Sequence, residues 1–116
     1  ARRGRGGPRS LGWGVPSYRV TLLIGDMRVG RSPEEVLPAA VDAARELTTA
    51  ESWDLAIRHG MPRITVRYLA DDDAEAFRVA ELVRARTNLV AQARGTTVTR
   101  RYGGRFYPVA PPHDTY

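Results

Sequence analysis

Tyr18-Arg-Val-Thr-Leu-Leu-Ile24, then Gly25 and Gly30, then Ser32-Pro33-Glu34-Glu35 leading into an apolar-periodic run to Leu47, reads as a strand, a turn and a helix. At strand spacing Tyr18, Val20, Leu22 and Ile24 share one face, whereas Arg19, Thr21 and Leu23 share the other. One face is apolar and the other mixed. Ser32, Pro33 and Glu35 supply an N-cap hydroxyl, a proline at the first helical position and a capping-box glutamate, so the spacing predicts a helix over 33–48. Its buried stripe is Val36, Leu37, Ala40, Val41, Ala44 and Leu47, leaving Asp42, Arg45 and Glu46 to solvent. Pro38 is discordant, because a proline beyond the first turn removes a backbone hydrogen bond.

Downstream, Glu51 to Ile57 reads as a short helical segment with Trp53, Ala56 and Ile57 on one side, closed by Gly60 and Pro62. Arg63 to Ala70 alternates again, with Ile64, Val66 and Tyr68 one way and Arg63, Thr65 and Arg67 the other. Asp71-Asp-Asp73 caps a second helix over 73–88, whose stripe is Ala76, Val79, Ala80 and Val83 with Phe77 and Leu82 flanking. From Ala93 to Val109 the threonine, valine and aromatic content, broken by Gly103-Gly104, predicts a hairpin.

Strands covered on both faces read as continuous apolar runs, whereas these alternate. The expected fold is therefore an α/β (α+β) two-layer sandwich, with the helices on one face of a sheet of three to five strands. Two right-handed crossovers make the first three strands progress in one direction; an interleaved, ferredoxin-like order is the competing arrangement. The expected organisation is an arginine- and glycine-rich tail over 1–12, disordered on composition, a single domain over 13–109 edged by Trp13, and an extended tail over 110–116.

Of 116 residues, 42% are hydrophobic, none is cysteine, and the formal net charge is +5. Disulfides and thiolate metal sites are excluded, no apolar run is long enough for a membrane helix, and the default expectation is a soluble cytoplasmic protein. The charge is uneven. Arg2, Arg3, Arg5 and Arg9 make the first segment basic, residues 13–93 carry ten arginines against twelve acids, and the last segment is basic again. That asymmetry suits contact with a polyanion.

Catalytic motifs are weak. Gly25 to Ser32 has the outline of a phosphate-cradling loop, but with arginine where such a loop places lysine; it reads as a turn before a capped helix. Asp71, Asp72, Asp73 and Glu75 sit where capping and the helix dipole favour acids. His59 and His113 have no spaced partner. No catalytic, metal or cofactor site is expected. The more informative residues are aromatic and basic: Arg100, Arg101, Tyr102, Arg105 and Tyr107, with Phe106 among them, interleave rings and guanidinium groups as base stacking and phosphate contact require. With Arg19, Arg63 and Arg67 on the uncovered sheet face, they predict a small non-catalytic module for nucleic acid, single-stranded or RNA in preference. The competing expectation is an interaction domain whose open face, seeded by Leu23 and Leu69, pairs with another copy or another protein.

Overall fold

The computed structural model describes residues 14–111. The segment 1–12, Trp13 and the last five positions, His113 among them, lie outside the described residues. Strand β1 (Ser17–Met27) is followed by a 3-10 turn (Pro33–Glu35), helix α1 (Val36–Leu47), strands β2 (Ala50–Arg58) and β3 (Met61–Leu69), helix α2 (Asp73–Asn88), and strands β4 (Ala91–Tyr102) and β5 (Arg105–Pro108). The five strands form one antiparallel sheet in the order β2-β3-β1-β4-β5, with both helices packed together on one face. This is the expected two-layer sandwich.

Two expectations are corrected. Residues 51–57 are not helical: they belong to β2, paired along its length with β3 through a two-residue turn at His59 and Gly60. Both turn residues have positive φ, 53° and 77°, the backbone that joins twisted strands most tightly. The second correction follows from the first. One strand between the helices would allow a progressive order, but a tight hairpin between them makes β2 and β3 antiparallel neighbours. The order is therefore interleaved, with β3 between β2 and β1, and β1 between β3 and β4.

The helices start where the caps place them. The Ser32 N–H donates to the Glu35 carboxylate at 2.9 Å, and the first turn is 3-10 before the α-helix proper begins at Val36. Pro38 consequently falls in the opening turn of α1, where backbone N–H groups lack intrahelical acceptors, and its missing donor costs little. In α2 the Asp72 carboxylate accepts from the Glu75 N–H at 2.8 Å while the Glu75 side chain accepts from the Asp71 N–H at 3.0 Å. Arg86 on α2 forms a bidentate ion pair with Glu46 on α1, tying the two helices together.

Between the layers, Tyr18, Val20, Leu22 and Ile24 of β1 and Ile64, Val66 and Tyr68 of β3 meet Val36, Ala40, Val41 and Ala44 of α1 and Ala76, Val79, Ala80 and Val83 of α2, all buried. Leu37, Phe77 and Leu82 pack on the margin of this core. Leu47, expected in the stripe, is instead exposed at the end of α1. Small residues on both helices let them approach the sheet closely, leaving room for the large Tyr18 and Tyr68 rings, whose centroids lie 6.1 Å apart.

Candidate functional site

The sheet face opposite the helices is built by strand alternation. Because Tyr18, Val20 and Leu22 face the core, Arg19, Thr21 and Leu23 must face out, and register places them beside Arg67, Thr65 and Arg63 of β3 in turn. On the other flank Arg19 and Thr21 lie opposite Thr99 and Thr97 of β4. Arg101 of β4 lies opposite Phe106 of β5, on the same open side. Among the described residues of β1, β3 and β4, four arginines and four threonines thus share a face that neither helix covers.

Phe106 organises its centre. The Arg19 guanidinium lies over its ring, 3.8 Å from the centroid, and Arg67 approaches the same ring at 5.5 Å. Arg19 and Arg67 are also directly opposite each other on adjacent strands, a like-charge pairing that a sheet normally avoids. Arg67 is partly neutralised by Glu51 at 3.0 Å, whose carboxylate also accepts from the Ser17 hydroxyl at 2.6 Å. Among the described residues Arg19 and Arg63 have no carboxylate partner. Arg19, Ser52, Trp53, Asp54, Thr65 and Arg67 line a shallow depression of about 250 Å³. That is below the roughly 300–1,000 Å³ of a site that engulfs a small ligand, and suits an extended partner lying across the face.

The basic and aromatic residues of the last hairpin do not form one cluster. Arg101 and Phe106 join the open face, with the Arg101 Nε–H donating to the Gly103 carbonyl at 2.7 Å. Arg100, Tyr102, Arg105 and Tyr107 fall on the opposite, helix-bearing side. There the Tyr102 and Tyr107 rings pack against each other with centroids 5.9 Å apart. Arg100 is engaged within the fold. It donates to the Asp73 carboxylate at 3.1 Å and to the Tyr18 hydroxyl at 3.2 Å, while Tyr18 donates to Asp73 at 2.7 Å. Burial and the hydrogen bond to Asp73 push the Tyr18 phenol well above its ordinary range, and burial does the same to Tyr68. This triad fastens β1 and β4 to the start of α2.

The arginines of the early turn are likewise engaged. Arg28 donates to the Asn88 backbone and side-chain oxygens at 2.8 and 3.0 Å, and Arg31 pairs with Glu35 at 2.9 Å. Among the described residues no group of three or more His, Cys, Asp or Glu side chains is placed to hold a metal ion, and no helix is long and apolar enough to cross a membrane. Leu23 is exposed and Leu69 half-buried on the open face, each flanked by arginine-bearing strands. Arg2, Arg3, Arg5 and Arg9 lie outside the described residues.

Sequence reasoning missed Glu51, Ser52 and Asp54, because they were assigned to a helix that is in fact β2. A period-two reading of Trp53, Leu55 and Ile57 was the available signal. Comparison with protein-family models, with curated proteins and with solved structures returned no match to this chain.

Proposed function

We propose that this chain is a non-catalytic nucleic-acid-binding module that lays its open sheet face against a single strand or an RNA. The observation that carries the reading is the facing pair Arg19 and Arg67 gathered over Phe106 on the helix-free side. Glu51 compensates part of the Arg67 charge, so the uncompensated cation of the pair is Arg19, and a phosphodiester laid against it supplies the missing anion. Guanidinium planes ordered by an aromatic ring also offer flat surfaces on which unpaired bases stack. Arg63 and Arg101 extend the phosphate track, and the threonine hydroxyls supply neutral hydrogen bonds along it.

Charge segregation supports the same orientation. The helical segments 33–48 and 71–88 hold nine acids against four arginines, so the helix layer repels a polyanion that the sheet face attracts. In this reading Arg2, Arg3, Arg5 and Arg9 neutralise further phosphates and so release more of the counterions condensed on the nucleic acid. Replacing Arg19 and Arg63 together with alanine leaves the core untouched. Anisotropy titrations of a fluorescent single-stranded RNA across a salt series test the proposal. The log–log salt slope should fall by about 0.7 for each arginine removed. An unchanged slope in the double variant, or no binding by the intact chain at low salt, contradicts it.

A further inference from the structure

We infer that two copies of this chain associate by antiparallel pairing of β2 with itself, centred on Ala56, to make one continuous sheet. The two sheet edges are unequal. β5 is four residues long and ends in Pro108, so it offers little to pair with. β2 is nine residues long and contains no proline, and among the described residues its outer backbone donors and acceptors have no neighbouring strand. Trp53, Leu55 and Ile57 stand in a row on its helix-bearing side with 41, 49 and 62% of their surfaces exposed. A long edge carrying an exposed apolar row is the kind that natural sheets cover.

The occupant follows from the strand's own pattern. In a continuous antiparallel sheet, directly opposed residues point to the same face, so β2 can meet its copy only in registers centred on a residue. Centring on Asp54 sets that carboxylate against its own copy, and centring on Leu55 leaves Asp54 opposite Ala56. Centring on Ala56 places Asp54 opposite Arg58 of the second copy, twice by symmetry, on the open side. On the helix-bearing side the same register sets Leu55 against Ile57 of the second copy, also twice. Among the described residues neither Asp54 nor Arg58 has an ion-pair partner within the chain, whereas Glu51 is taken by Arg67. The edge is therefore complementary to itself in both charge and apolar surface. The association does not depend on the nucleic-acid reading, although it would set two basic faces side by side in one plane.

Ala56→Cys tests the register directly, because the chain has no cysteine of its own and residue 56 faces its copy on the two-fold axis. Under mild oxidation of the full chain, A56C should form a disulfide dimer more rapidly than L55C. Light scattering and sedimentation of the unmodified chain should give a concentration-dependent mass approaching a dimer. D54R and R58D should each weaken association about tenfold or more, because each sets like charges opposite each other twice. The double variant D54R/R58D should restore it, and an equimolar mixture of the two single variants should associate. A constant monomer mass into the high micromolar range overturns the inference. So does preferential cross-linking of L55C, or a double variant no better than the singles; circular dichroism confirms that each variant is folded.

Discussion

Tyr18, Asp73 and Arg100 carry more of the fold than of the surface. Their contacts join positions 82, 55 and 27 residues apart, which no local pattern reveals; Tyr18 was legible as a core residue and Arg100 only as a basic one. Arg100→Ala should therefore cost about 1 kcal/mol in urea unfolding, as expected for a partly exposed charge-assisted pair, while changing RNA affinity less than Arg19→Ala does. The buried phenols carry a pH signature. Their proton affinities are raised in the folded chain by burial, and for Tyr18 also by Asp73. The stability they contribute is complete below the ordinary phenol value of about 10 and is lost as pH rises above it, because only the unfolded chain then releases the protons readily. Unfolding midpoints measured from pH 8 upward should show that alkaline fall. Replacing both Tyr18 and Tyr68 with phenylalanine should flatten it, although the Tyr68 hydroxyl donates to the Ala76 carbonyl at 2.7 Å and its loss costs about 1 kcal/mol at neutral pH.

At the scale of elements, the His59-Gly60 turn determines more than its length suggests. It makes β2 and β3 antiparallel neighbours, and β3 in turn adjoins β1 in the interleaved sheet. Its backbone requires positive φ at both positions, where a residue with a Cβ is disfavoured by about 1–2 kcal/mol. Gly60→Ala should lower stability by about that amount in urea unfolding, and His59→Gly should recover part of the strain. The elements α1, α2, β1, β3 and the last hairpin were legible because each buries one face and exposes the other, so periodicity records the burial. β2 was not, for a physical reason. As an edge strand it is exposed on both sides over most of its length, so burial imposes no alternation, and Trp53, Ala56 and Ile57 fit helical spacing as well as Trp53, Leu55 and Ile57 fit a strand. Its turn also lacks the asparagine or aspartate that usually precedes glycine in such hairpins.

Over the whole molecule, an acidic helix layer backs a basic sheet face. Arg19, Arg63 and Arg67 could be placed on that face from alternation alone, because their strands have a well-defined buried side. The separation of Arg101 and Phe106 from Arg100, Tyr102, Arg105 and Tyr107 was not legible, since eight consecutive basic, aromatic and glycine positions, 100–107, conceal which way the hairpin faces. Deleting residues 1–12 should weaken RNA binding and lower the salt slope, yet leave the contribution of the open face intact. The central claim concerns that face. The most direct measurement is a titration of the isotope-labelled chain with single-stranded RNA, following the arginine Nε–H resonances by NMR. The account predicts that Arg19, Arg63 and Arg67 shift first and together, while Arg84 and Arg86 on α2 stay fixed. Shifts confined to the helix layer, or none at low salt, would contradict it.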